Sequence, residues 1–110
     1  MNYLYHITNK FDYVKAKDKG IYDFCALKKD GFIHLSKRNQ FLGSANNYFK
    51  GQSNLILFEI DPNKLKAKLV YENTLGGNLM FPHLYGPLNL DAIVRVIDFV
   101  ETREGFVDVV

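Results

Sequence analysis

Helical periodicity is confined to the first half of the chain, and everything after Gly51 reads as strand and turn. That order constrains the fold more than any single motif. Helices alternating with strands throughout would build a doubly wound parallel sheet. Two early helices followed by a run of strands point instead to an α+β domain. At 110 residues the chain reads as one domain, residues 1–110, large enough to bury a real core. No repeat, linker or low-complexity segment interrupts it.

Along the chain, Tyr3 to Ile7 alternates and is rich in β-formers, so it reads as a first strand. Thr8 or Asn9 caps a helix over Lys10 to Lys19, with Phe11, Val14 and Ala16 as its apolar positions and Gly20 as its stop. Ile21 to Leu27 is a loop or short strand, and Lys28-Lys29-Asp30-Gly31 is a turn. Gly31 to Leu35 is a short buried strand. Ser36 is placed to cap a second helix, Arg38 to Phe49, whose stripe is Phe41, Leu42, Ala45, Tyr48 and Phe49. Asn54 to Ile60 is the clearest strand, and Asp61-Pro62-Asn63 either turns it or opens a single helical turn at Pro62. Lys66 to Tyr71 alternates as a half-exposed strand. Glu72 to Asn78 reads as a flexible loop around Gly76-Gly77, and Met80 to Leu88 as irregular chain limited by two prolines. Ala92 to Val100 is a final strand, after which Glu101 to Val110 either adds an edge strand or lies loose.

Composition removes several classes of function. A net charge of +2 does not point to nucleic acid or a membrane surface. No window is long and apolar enough to span a bilayer, and the start of the chain has no signal-peptide pattern. Cys25 is the single cysteine, so no disulfide closes within the chain; it reads as a small buried residue, and the location expected is cytoplasmic. Metal spacing is poor and no metal is expected. Neither GxSxG, a P-loop nor GxGxxG is present. Glu59 and Asp61 share one strand face and read as a solvated pair, with a general base as the alternative.

The three histidines carry the chemistry. Each sits in an apolar or aromatic motif: Tyr5-His6-Ile7-Thr8, Phe32-Ile33-His34-Leu35-Ser36, and Phe81-Pro82-His83-Leu84-Tyr85-Gly86-Pro87-Leu88. An imidazole donates, accepts or carries a proton near neutral pH. His6 faces away from Tyr5 and Ile7, and reads either as a structural residue or as a ligand contact at a strand end. His34 and Ser36, two apart on a strand, share a face with Phe32. His83 lies in a rigid aromatic loop that suits a pocket wall or a core cover.

Together with Asp61-Pro62, those motifs resemble domain-of-unknown-function family 952, a bacterial family of small proteins, over about residues 3 to 98. That family is grouped with the ADP-ribosyltransferase-like superfamily. Leu4-Tyr5-His6 with Thr8 resembles the LYHGT strand of RNA 2′-phosphotransferases and the LFHG strand of poly-ADP-ribosyltransferases, and Ile33-His34-Leu35-Ser36 resembles the VHLS strand of the former. Ser44-Ala45-Asn46-Asn47-Tyr48 is similar to the SANY helix of the polymerases, with one extra Asn. Two departures stand out: Ile7 occupies the place of a glycine, and the position of the transferase Glu aligns best with His83.

The resemblance implies a small α+β fold with an ADP-ribosyltransferase-like split mixed or antiparallel sheet and two short helices near the N-terminus. It implies a His-lined cleft for NAD, as substrate, or for another ribose-containing nucleotide. His6 would bind a ribose, with Thr8, Ser36, Tyr48 and Tyr85 as further ligand-binding residues. His83 and His34 would be catalytic, in transferase or glycohydrolase chemistry. The alternative is a non-catalytic binding or interaction module that keeps the fold without the Glu.

Overall fold

The computed structural model describes residues 2–23, 26–73 and 78–110. Among the described residues eight strands and three α-helices form an α+β fold: β1 (Leu4–Asn9), α1 (Lys10–Lys19), β2 (Ile21–Tyr22), α2 (Ala26–Asp30), β3 (Ile33–His34), α3 (Phe41–Tyr48), β4 (Leu55–Ile60), β5 (Lys68–Glu72), β6 (Phe81–Tyr85), β7 (Leu88–Asn89) and β8 (Ile93–Asp98). All pairings are antiparallel, in sheets of order β1-β4-β8, β2-β7 and β3-β6-β5.

The run Leu55-Ile56-Leu57-Phe58-Glu59-Ile60 is buried at every position because β4 is a central strand with a core on each face. Ile56, Phe58 and Ile60 meet Leu4, Tyr22, Ile33, Leu35 and Leu84 on one face. Leu55 and Leu57 meet Tyr5, Ile7, Phe41, Ala45, Phe99 and Phe106 on the other. The two-residue alternation of β1 and β4 thus assigns each side chain to one core or the other.

The second core also fixes the tail. Phe106 packs on Phe99 with ring centroids 4.9 Å apart. The Asn46 side chain accepts from Phe106 N at 2.8 Å and donates to its carbonyl at 3.3 Å. Gly105 has φ +97°, and a Cβ there would lie 2.6 Å from Asn46 Oδ1. Residues after Val100 are therefore packed against α3 rather than loose.

α1 matches its expected limits: Asn9 Oδ1 accepts from Asp12 N at 2.8 Å and Gly20 closes the helix in the left-handed region. Its inward face differs from expectation. Phe11 and Val14 are exposed, while Ala16 is buried and Tyr13 packs edge-on to Phe58. α3 begins three residues later than Arg38, because residues 37–40 form a turn in which Gln40 Oε1 accepts from Lys37 N. Ser36 caps nothing; it bridges to β1. Helix α2 replaces the expected loop and turn before Gly31, and β6 is a regular strand despite Pro82.

Two bonds join β1 to the end of β3: Tyr5 N to Ser36 O and Ser36 N to Tyr5 O, each 2.8 Å. Continuing that antiparallel ladder would bring Ile7 to His34. The strands part instead, and the imidazole of His6 enters the gap, with Nδ1 2.8 Å from His34 O.

Candidate functional site

The outer face of the β3-β6-β5 sheet holds the densest polar chemistry in the described chain. Ile33, Leu35 and Leu84 point to the core. Alternation then places Phe32, His34, Phe81, His83 and Tyr85 on the opposite face, joined by Glu72 from the end of β5. His34 and His83 are direct cross-strand partners, and Glu72 faces Phe81.

Three of these side chains form a line. Glu72 Oε1 lies 2.9 Å from His83 Nδ1, and His83 Nε2 lies 3.2 Å from His34 Nδ1. The Tyr85 hydroxyl also donates to Glu72 Oε1. These two hydrogen bonds, Tyr85 first, hold the Glu72 carboxyl below its ordinary range, so it accepts and His83 Nδ1–H donates. His83 is 1% exposed and lies flat against Phe32, centroids 4.0 Å apart and planes 14° from parallel.

Two imidazole nitrogens at hydrogen-bond distance share a single proton. Burial, and then the neighbouring His83, lower the His34 pKa to about 4, so its ring is neutral at pH 7. With the shared proton on His34 Nδ1, its Nε2 is a bare lone pair. Among the described residues nothing hydrogen-bonds that nitrogen, and no fully buried side-chain nitrogen or oxygen lacks a partner. His34 Nε2 therefore reaches solvent.

His6 stands apart. Its ring lies in the first core, edge-on to Tyr22 at 5.2 Å, with Nε2 2.9 Å from the Tyr22 hydroxyl. Burial pushes its pKa down to about 4, so it is neutral. A carbonyl only accepts, so Nδ1–H donates to His34 O and Nε2 accepts from Tyr22. The same hydroxyl lies 2.9 Å from Thr8 Oγ1. The structure thus brings His34, His83 and Tyr85 together and places His6 and Thr8 in a separate buried network.

Ser36 is buried, its Oγ 3.5 Å from Ser44 Oγ. Beyond Ser44 opens a cleft of about 520 Å³ between α3 and the chain entering β6, lined by Gln40, Ser44, Asn47, Tyr48, Leu79 and Phe81 among others. Gln40 Nε2 donates to Met80 O at 2.9 Å, tying the two walls together. Tyr48 is 60% exposed on this wall. Phe81 connects cleft and line, its ring 5.1 Å from that of His34.

Glu59 and Asp61 are buried, not solvated. Glu59 Oε2 accepts from Tyr5 at 2.8 Å and from Arg95 at 3.2 Å, and Asp61 Oδ1 accepts from Asn63 N at 2.9 Å. β4 has no solvated face, which is why the alternation there misleads. Cys25 and the Gly76-Gly77 loop lie outside the described residues. Among the described residues no group of three or more His, Cys, Asp or Glu could hold a metal ion, and no helix is long and apolar enough to cross a membrane.

Glu72 is the member of the line that sequence reasoning places in a loop. Carrying the alternation of Lys68 and Val70 one step further puts it on their face, beside the aromatic motif.

Residues 7–96 match the sequence family described as protein of unknown function (DUF952). The crystal structure of CC0527 from Caulobacter crescentus is 33% identical and superposes with a TM-score of 0.85, over 94% of this chain and 91% of that one. The solution NMR structure of CC0527 gives a TM-score of 0.77 at 33% identity, over 94% and 90%. Comparison with curated proteins returns no match. The chain belongs to the DUF952 family.

Proposed function

We propose that this member of the DUF952 family binds a ribose-containing nucleotide where the β3-β6 face meets the α3 cleft. In this reading Glu72, His83 and His34 handle a proton on its ribose. The observation that carries it is the line of three side chains ending in a solvent-reached nitrogen, His34 Nε2.

An imidazole whose pKa is about 4 is by itself a feeble base at pH 7. The line changes that. As a ribose hydroxyl gives its proton to His34 Nε2, the proton on Nδ1 passes to His83 Nε2. The positive charge then rests on His83, whose Nδ1–H faces the Glu72 carboxylate. This is the logic by which a carboxylate stabilises an imidazolium in a catalytic triad. Run backwards, it returns a proton to a leaving group.

The cleft supplies what the rest of a nucleotide needs. Tyr48 and Phe81 offer aromatic faces for a base, Asn47 and Asn78 offer amides, and Lys37 offers a cation for phosphate. Placement in the ADP-ribosyltransferase-like superfamily belongs with this reading, with NAD as substrate and group transfer at the ribose as the reaction. The ribose contact then falls to His34, because both His6 nitrogens are bonded within the protein.

Thermal-shift titration with NAD, ADP-ribose and AMP tests binding. A ligand at a hundred times its Kd stabilises the native state by about 2.7 kcal/mol. No shift with any of the three at millimolar concentration would sink the reading. NAD consumption by the wild type, lost in His83→Ala, tests catalysis. A module that binds without turnover is the second reading, favoured by the internal bonding of His6; it would give stabilisation with no NAD consumed.

A further inference from the structure

A proton entering the line at His34 Nε2 has two places to stop. One is His83, as an imidazolium facing the Glu72 carboxylate. The other lies one step further: His83 passes its Nδ1 proton to Glu72 Oε1, the carboxyl becomes neutral, and His83 is left neutral with its proton on Nε2. Both stops hold the same number of protons and differ only in charge. His83 is 1% exposed, and burial by itself favours the neutral pair. Something must hold the carboxylate for the charge to stay on His83.

Tyr85 is placed to do so. Its hydroxyl donates to Glu72 Oε1, the same oxygen that meets His83 Nδ1. A carboxylate oxygen accepts both bonds strongly. Once it holds a proton it is a hydroxyl oxygen and a weak acceptor for a phenol. The bond from Tyr85 therefore weighs against the second stop. It is the larger of the two hydrogen bonds that hold the Glu72 carboxyl low, and it raises the Tyr85 pKa in return, which keeps the phenol a donor.

The fold aims Tyr85 at this oxygen independently of Glu72. In the ladder Glu72 faces Phe81 and Tyr85 faces Lys68, so the two side chains approach each other across the position of His83. The Tyr85 ring lies 5.5 Å from that of Phe32, the ring that stacks on His83. Just beyond, a Cβ on Gly86 would lie 2.7 Å from Ala67 Cβ, so the end of β6 is pressed against the chain entering β5. His34 from β3 and Lys68 from β5 are the other titratable groups that strand register brings to this face.

The geometry points to Tyr85 as a positioning residue: it holds Glu72 as a carboxylate, so that a proton taken up by the line stops on His83. This rests on the proton path proposed above for His34, His83 and Glu72, and adds the residue that sets where the path ends.

NMR titration of the ligand-free full chain tests the inference by following the Glu72 side-chain carboxyl and the ring nitrogens of His34 and His83. Tyr85→Phe keeps the ring beside Phe32 and removes only the donor. In the wild type the proton taken up as pH falls doubly protonates His83 while Glu72 stays a carboxylate. In Tyr85→Phe the Glu72 titration moves up toward the ordinary carboxylate range, and His83 shifts toward a singly protonated ring with its proton on Nε2. In a Glu72→Gln background the same Tyr85→Phe change leaves both rings unmoved, which a merely structural effect would not do. A Glu72 titration and His83 signals identical to wild type in Tyr85→Phe overturn the inference, as does an equal response in the Glu72→Gln background. No nucleotide enters the experiment, so its outcome and that of the nucleotide titrations are read separately.

Discussion

Nε2 of His83 stands 3.2 Å from Nδ1 of His34, across a ladder position where the two residues are direct partners. His83 contributes to the low pKa of His34, about 4 in the wild type. His83→Ala raises the His34 value toward 6.5, the ordinary one for the side chain. An NMR titration of the ring resonances measures this. Burial, the larger cause, keeps the value below 6.5 in the variant; no upward movement at all would show that His83 takes no part in the depression.

Glu72 is part-exposed and ends a strand, so Glu72→Gln keeps the fold. It removes the charge that stabilises a proton on His83. If the relay works as an acid–base unit, NAD consumption falls about a hundredfold or more while ligand affinity stays within a few-fold. Turnover and thermal shift on the same samples separate the two. Equal losses in both would assign Glu72 to binding alone.

His6 makes stability depend on pH. Its pKa is about 4 in the fold and 6.5 when free. Above pH 6.5 its contribution is complete. Between 6.5 and about 4 the unfolded chain takes up a proton that the folded chain refuses, so stability falls with pH. The loss from His6 alone amounts to ~3 kcal/mol by proton linkage. Urea unfolding at pH 7.5 and pH 4.5 reveals it, and His6→Asn reduces the loss across that window, leaving the part that His34 contributes.

The tail is a stability element. Gly105→Ala forces a Cβ within 2.6 Å of Asn46 Oδ1 at φ +97° and costs ~1–3 kcal/mol. Phe106→Ala empties a buried aromatic site and costs ~3–5 kcal/mol. Equilibrium denaturation checks both. Changes under ~0.5 kcal/mol, typical of surface positions, would mean the tail does not pack in solution.

The legible parts of this molecule are those governed by local chemistry. Asn9 and Gly20 bound α1 where capping rules put them, and the alternation of Phe32, His34 and Ser36 separates the outer face from Ile33 and Leu35. Long-range facts are less legible. Phe11 and Val14 look inward by spacing, but the depth of the core under α1 admits only Ala16 and Tyr13. Glu59 looks solvated because nothing local says that β4 has a core on each side. The His34–His83 pair spans 49 positions, and Glu72 joins it only through the pairing of β5 with β6. No motif announces a partner that register supplies.

Where β1 leaves β3, a side chain serves as a rung of the sheet. Main-chain amides that form rungs keep their protons throughout the range in which proteins stay folded. The imidazole of His6 does not share that indifference. Its Nδ1–H holds His34 O whether or not the ring is charged, but a second proton would occupy Nε2 and turn its bond with Tyr22 from accepting to donating. The seam between two of the sheets is thus fastened by a clasp with an acidity of its own.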